Sequence, residues 1–208
     1  MSQISPFLMP LHPVQLEGFG ITLQPLKPAH EPGLASAAAD GELWNLVYTS
    51  VPSPGKEAEY IKTALDSQHQ GKSLVFTIID ECTKKVIGTT RYYDIVPECA
   101  RLEIGYTWYA QSYQRTFANT ATKYLLMFYA FESLKAQTIG WRTDIINTRS
   151  QAAIERLGAK KDGVIRGDML RRDGTLRDSV VYSMTREEWL NGCKSQLKEK
   201  LDKLLSVG

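Results

Sequence analysis

Between Arg101 and Gly158 the chain alternates strand and helix patterns in an order that leaves few folds open. Leu102-Glu103-Ile104-Gly105-Tyr106-Thr107-Trp108-Tyr109 is rich in β-branched and aromatic residues and predicts a strand. The polar run from Tyr113 to Asn119 predicts a tight loop. Asn119 to Leu134, apolar almost all round, predicts a helix buried on most of its surface. Thr138 to Asp144 predicts a second strand. Asn147-Thr148-Arg149-Ser150 then opens a short helix closed by Leu157-Gly158. A strand that feeds a polar loop opening a helix makes an anion site. The first N–H groups of the helix lack internal acceptors and point outward with the positive end of the dipole.

The rest of the chain supplies a sheet for that segment. Phe19 to Gln24 predicts a first strand, ended by Pro25 and Pro28. His30 to Ala39 and Ala58 to Ser67 predict helices, the second from Ala58, Ile61, Ala64 and Leu65 at helical spacing. Leu74 to Asp80 and Lys85 to Tyr93 predict a hairpin around Glu81–Lys84. Val164 to Leu170 and Leu176 to Met184 predict another around Asp173-Gly174. Thr185-Arg186-Glu187-Glu188 has capping-box spacing and starts a last helix. This mixed order suits one α/β (α+β) sheet domain. Residues 1–14 read as a leader, loose through Pro13. Residues 15–184 read as the domain, and residues 185–208 as a C-terminal helix packed on it or extending it.

Composition excludes several functions. A net charge of +2 over 208 residues, with acids and bases interspersed, gives no drive toward nucleic acid. No stretch is apolar enough for a membrane span. The leader is broken by Pro6, Pro10 and Pro13 and carries no basic region before an apolar run, so no signal peptide is expected. Cys82, Cys99 and Cys193 form no disulfide framework or zinc pattern, and His12, His30 and His69 lack ligand spacing. The expectation is a cytoplasmic protein with no metal.

The order of these parts, with Ile104-Gly105-Tyr106, Asn147 to Ser150 and Arg156-Leu157-Gly158, resembles the acyl-CoA core of the GNAT superfamily of N-acetyltransferases. Within it, the chain resembles the Rim-type branch of ribosomal-protein N-terminal acetyltransferases. The resemblance runs from about Gln15 to Trp189. It implies a central mixed, mostly antiparallel sheet with splayed central strands flanked by helices, and acetyl-CoA as acyl donor. The acceptor it implies is an amine-bearing small molecule or a protein N-terminus, reached by direct transfer in a ternary complex. A homodimer is compatible with it. The alternative is a non-catalytic acyl-CoA-binding or interaction protein that keeps the fold.

The resemblance also assigns residues. Gln114, Arg115, Thr116, Phe117, Ala118, Asn119 and Thr120 form the loop whose N–H groups bind the coenzyme pyrophosphate. Gln114 matches the opening position, while Phe117 stands where the family carries a glycine used for close approach or positive φ. Arg115 lies against a phosphate or is solvated. Thr107, Trp108 and Tyr109 present backbone N–H groups to the acetyl carbonyl and pantetheine. Glu103 matches the glutamate that serves as general base, because transfer needs a neutral amine. Its other reading is an ion pair with a cross-strand arginine such as Arg91. Strand alternation puts Glu103, Gly105 and Thr107 on one face, opposite Leu102, Ile104 and Tyr106. Asn147 binds pantetheine, caps a helix, or does both. Many relatives carry a tyrosine acid on the following helix. This chain has Ile154 and no tyrosine between Ser150 and Gly158, so Ser150 is a substitute beside water or no acid. Trp44, Tyr92, Tyr93 and Trp141 line an acceptor pocket or belong to the core. Arg177-Asp178 and Glu188-Trp189 match recurring pairs with architectural roles.

Overall fold

The strand–helix–strand segment forms the middle of a single sheet. In the computed structural model, which describes Pro6, Phe7 and residues 9–206, eight strands run in the order β1-β2-β3-β4-β5-β6-β8-β7. They are β1 (Leu16–Gly18), β2 (Ile21–Pro25), β3 (Leu74–Asp80), β4 (Val86–Val96), β5 (Arg101–Tyr109), β6 (Thr138–Asp144), β7 (Lys160–Leu170) and β8 (Leu176–Thr185). The helices are α1 (Glu31–Ala39), α2 (Glu57–His69), α3 (Phe117–Phe128), α4 (Thr148–Glu155), α5 (Arg186–Glu188) and α6 (Lys194–Ser206). None is long and apolar enough to cross a membrane.

Every neighbouring pair is antiparallel except β5 and β6. A parallel pair needs a crossover, which α3 supplies. The parallel pairing is short: Arg101, Leu102 and Glu103 meet Thr138, Ile139 and Gly140. Beyond that, β5 stays with β4 as far as Tyr109, and β6 stays with β8 as far as Asp144. The halves of the sheet part after Glu103 and leave a cleft between Ile104–Tyr109 and Trp141–Asp144.

Two apolar clusters cover the two faces. On one, Leu102, Ile104 and Tyr92 pack with Leu126, Met127 and Phe131 of the α3 region and with Leu197 and Leu201 of α6. On the other, α1 and α2 lay Leu34, Ala38, Ile61 and Ala64 over Val75 and Trp108. Each fully buried Leu or Ile contributes about 1.5–3 kcal/mol over leaving it exposed.

Several expectations are corrected here. Phe19 belongs to a turn, not to the first strand. Phe19 and Gly20 have φ of 54° and 73°, as a tight hairpin turn between β1 and β2 demands. The leader is not loose throughout its described part, because Phe7 and Leu11 are buried in the main cluster; residues 1–5 and 8 lie outside the described residues. The face assignment along β5 also changes. Thr89 pairs with Trp108 but Arg91 with Gly105, so Tyr106 and Thr107 together oppose Thr90. This is a β-bulge, and Tyr106 takes φ 51°. The extra residue reverses the alternation. Tyr106 lies over Arg91, with the guanidinium 4.2 Å from the ring centre, on the side of Glu103. Thr107 turns toward α3, and Trp108 toward α2.

The chain closes as its last motif indicates. The Thr185 hydroxyl accepts from the Glu188 N–H, and Glu188 accepts from the Thr185 N–H. Trp189 is fully buried and stacks on Phe131. Gly192, at φ 150°, then kinks the chain into α6. At the other edge, the β7–β8 turn reaches across the molecule. The Arg172 guanidinium donates to the carbonyls of Trp44 and Val51, both at 2.7 Å.

Candidate active site

The loop before α3 is built by polar side chains. Thr116 caps α3, its hydroxyl accepting from the Ala118 N–H at 3.2 Å and donating to the Tyr113 carbonyl at 2.8 Å. Gln114 donates to the Tyr109 carbonyl at 3.0 Å and accepts from Arg149, which ties the loop to the start of α4. The left-handed residue is Arg115, at φ 64°, and not Phe117. Phe117 is the first residue of α3, and its ring packs into the main cluster beside Gly20. The phenylalanine therefore asks for no unusual backbone. Arg115 and Arg149 are exposed at this helix start, and neither makes an ion pair among the described residues. Outward N–H groups and two guanidinium groups form a donor set that suits a diphosphate. Asn119 and Thr120 follow in the first turn, half-buried.

The cleft runs from this loop along β5. Asn147 caps α4 at its far wall, with Oδ1 accepting from the Ser150 N–H at 3.0 Å. The amide nitrogen of Asn147 and the hydroxyl of Ser150 make no hydrogen bond among the described residues, and both residues are half-buried. Sequence reasoning missed the most unusual group here. Lys123 of α3 is 6 % exposed, and its ammonium donates to the Thr107 hydroxyl at 2.7 Å. Thr107 in turn shares a hydrogen bond of 2.8 Å with Thr90. Among the described residues no carboxylate offsets the lysine's burial, which lowers its pKa to about 7. A signal existed: Leu126, Met127 and Ala130 lie three, four and seven residues on, so Lys123 shares the inward face of its helix.

On the opposite face lies Glu103, wholly buried. Its carboxylate accepts from Tyr93 Oη at 2.6 Å, Arg101 Nη2 at 2.6 Å and Arg142 Nε at 3.0 Å. The arginine partners are Arg101 and Arg142 rather than Arg91. Two glycines make room for this group: a Cβ on Gly105 would lie 2.5 Å from the Tyr93 ring, and one on Gly140 3.0 Å from Glu103 Cγ. Burial, followed by the neighbouring carboxylate, pushes the Tyr93 phenol well above its usual pKa, so it stays a donor. Asp94 closes the network by accepting from Arg101 at 3.2 Å and Arg142 at 3.0 Å.

Above this network opens a cavity of about 440 Å³, lined by side chains that include Lys72, Arg91, Tyr93, Asp94, Tyr106 and Arg142. Of the four aromatic residues assigned to an acceptor pocket, Tyr93 lines it. Tyr92 is fully buried and donates to the Leu126 carbonyl, and Trp141 is core at 2 % exposure. Trp44 packs against the α1–α2 cluster. Those three serve packing because their strand or loop positions face apolar layers. Trp108 and Tyr109, at the end of β5, are nearly buried, and the Trp108 indole N–H donates to Tyr60 of α2 at 3.4 Å.

An open mixed sheet whose central parallel strands part beside a helix start defines a class of acyl-transfer fold. Residues 21–160 match the family described as Acetyltransferase (GNAT) domain, and the chain belongs to that family. Among curated proteins it is 36% identical over 87 residues to the provisionally named ribosomal N-acetyltransferase YdaF of Bacillus subtilis (strain 168). That match covers 42% of this chain and 46% of the relative, so less than half of that protein is spanned. Among solved structures, a GCN5-related N-acetyltransferase from Brucella melitensis superposes with a TM-score of 0.85 at 26% identity, covering 95% of this chain and 89% of that one. RimJ of Mycobacterium smegmatis, solved in complex with CoA-disulfide, shares the fold with a TM-score of 0.75 at 18% identity, covering 92% and 95%.

Proposed function

We propose that this chain transfers an acetyl group from acetyl-CoA directly to an amine bound in the cavity, within a ternary complex. The observation that carries the reading is the parting of β5 from β6 after Glu103, with a diphosphate-suited helix start following the end of β5 and a cavity lined by Tyr106 of β5 and Arg142 of β6. The loop from Gln114 to Thr120, with Arg115 and Arg149, holds the diphosphate. The backbone of Thr107, Trp108 and Tyr109 and the free amide nitrogen of Asn147 hold the pantetheine arm. Membership of the GNAT family supports acetyl-CoA as donor. The name of the Bacillus subtilis relative supports a protein N-terminus as acceptor. Three free cysteines fit a reducing cytoplasm.

Two roles differ from the family pattern. Glu103 is held by two guanidinium groups and a phenol and has no exposed surface, so direct contact with an amine is closed to it. We assign it a positioning role, holding Tyr93 and Arg142 at the cavity wall. The acid missing from α4 is supplied by Lys123, whose ammonium lies at the residue that follows the bulge. As the acceptor nitrogen bonds to the acetyl carbon, the carbon–sulfur bond breaks and its electron pair stays on sulfur. Lys123 gives the sulfur a proton and regains one from solvent, while the amine releases its surplus proton to solvent. Phe117 at the family's glycine position would favour the non-catalytic alternative, but it opens α3 with ordinary backbone and packs on the core.

Calorimetry with acetyl-CoA, followed by detection of free thiol against a panel of amines, tests the reading. Binding should be saturable, and a ligand at 100 times its dissociation constant should stabilise the fold by about 2.7 kcal/mol. Absence of binding at millimolar acetyl-CoA would overturn it. Binding without turnover on any amine would favour the non-catalytic form.

A further inference from the structure

The acceptor cavity holds a buried arginine with no anion. Arg91, on β4 opposite Gly105, is 7 % exposed. Among the described residues it makes one side-chain hydrogen bond, from Nη2 to the Tyr60 hydroxyl at 3.2 Å, and its buried Nε has no partner. No carboxylate lies within 4.0 Å of it among the described residues, although Arg101, Arg142 and Arg171 all have one. The ring centres of Tyr106 and Tyr60 lie 4.2 Å and 5.6 Å from the guanidinium carbon. A guanidinium offers five donors in a rigid fork, so a buried one with most donors unused carries a standing cost. Structural arginines normally avoid that cost by pairing.

The surroundings favour an anion. Lys72, Arg91 and Arg142 line the cavity against the single carboxylate of Asp94, and that carboxylate is already held by Arg101 and Arg142. Glu103 lies behind the wall with its charge matched by Arg101 and Arg142. The excess positive potential repels a polyamine and draws a negatively charged group. Arg91 also stands at the bulge, because Tyr106 is both its stacking partner and the bulged residue. An anion on Arg91 therefore sits within a few bonds of the point where the acceptor amine meets the cleft.

We propose that Arg91 binds a carboxylate of the acceptor, so that the substrate is an amine carrying an acidic group close to the nitrogen. The inference rests on the acetyl-transfer reading and narrows it. Free acidic amino acids and peptides with an acidic residue next to the N-terminus share this chemistry. A carboxylate in the cavity makes charge-assisted hydrogen bonds to the guanidinium nitrogens that face it and supplies the counter-charge that Arg91 lacks. Tyr60, which accepts from both Arg91 and Trp108, keeps its own proton for the same group.

The test compares matched acceptors. Peptides with glutamate or aspartate at the second position are set against their glutamine and asparagine counterparts, and free glutamate and aspartate form a separate arm. With wild-type protein the acidic peptide should have the higher kcat/KM by roughly 10- to 100-fold, the worth of hydrogen bonds to a charged group. In Arg91→Gln that ratio should fall to about threefold or less, while acetyl-CoA affinity by calorimetry is unchanged. Arg91→Lys keeps the charge without the fork and should show an intermediate ratio, which covers the case in which the glutamine variant does not fold. Turnover confined to the free amino acids would name the small-molecule source, and turnover on the peptides the protein one. Equal use of acidic and neutral acceptors by the wild type, or an undiminished preference in Arg91→Gln, would overturn the proposal. Failure of acetyl-CoA to bind would instead sink the transfer reading. Direct titration with glutarate, with wild type against Arg91→Gln and no coenzyme present, then decides the anion site by itself: binding lost in the variant supports it, and binding equal in both or absent from both overturns it.

Discussion

At the scale of single residues, Lys123 gives the clearest expectation. Burial lowers its pKa from 10.5 to about 7, so between those values the unfolded chain holds a proton that the folded chain releases. Stability should therefore rise as pH climbs from about 7 toward 10.5 and be lowest, as far as this group is concerned, below 7. Lys123→Met keeps the volume and removes the penalty. It should raise the melting temperature by several degrees at pH 7 and flatten that rise, which scanning calorimetry across pH would show. If Lys123 is the acid, the same variant should lower kcat by about a hundredfold and remove the fall in kcat above neutral pH. A more stable variant with unchanged kcat would leave Lys123 a burial without a catalytic role. Little of this was legible in the sequence. A lysine in an apolar helix reads as a stem with its head in water, and only its burial between α3 and Thr107, which the bulge turns toward that helix, denies it that escape. Glu103, by contrast, was recognisable as a special residue. Its partners were not, because Arg142 lies 39 positions away on a strand bonded to β5 over three residue pairs.

At the scale of elements, strands were legible where composition sets them and illegible where geometry does. Leu74–Asp80 and Thr138–Asp144 have the bounds that their β-branched runs give. The three-residue β1 is too short to show a period, and Phe19 took its place in the reading because a bulky residue rarely adopts positive φ. Glycine matters at Gly105, where the Tyr93 ring lies on the bare backbone. Gly105→Ala should push the ring off Glu103 and cost about 1–3 kcal/mol, measured by urea unfolding, with reduced order around Arg142. A wild-type unfolding midpoint would mean that the ring has another place to go. The helix before the Asn147 turn also reads differently in space. It is α-helical only to Phe128 and then widens to a π turn through Ser133, which sequence periodicity does not report.

At the scale of the whole molecule, Arg142 of β6 ties the two halves of the parted sheet through Glu103 and Asp94, and the β6-β8-β7 half is braced within itself by a pair that no local pattern announces. Arg171 on the β7–β8 turn clasps Asp144 at the end of β6, with distances of 2.7 and 2.9 Å. Burial opposes the charge on Asp144, but Arg171 and the Ile146 N–H outweigh it and hold its pKa below the usual 3.8. The stability from this pair is present at neutral pH and lost as pH falls below about 4. Asp144→Ala should lower the melting temperature by about 5 °C or more at pH 7 and by progressively less once pH has fallen through that lowered pKa. Equal losses across that range would assign the effect to packing alone. The bulge in β5 has a consequence of another kind, one of parity. Upstream of Tyr106, odd-numbered side chains of the strand look toward the cavity; downstream, even-numbered ones do. One added residue thus sorts the strand's last side chains between two compartments, sending a hydroxyl to the buried ammonium and an indole to the phenol beside Arg91. Excising it would trade those contents, leaving the chemistry of each compartment on the wrong side of the sheet.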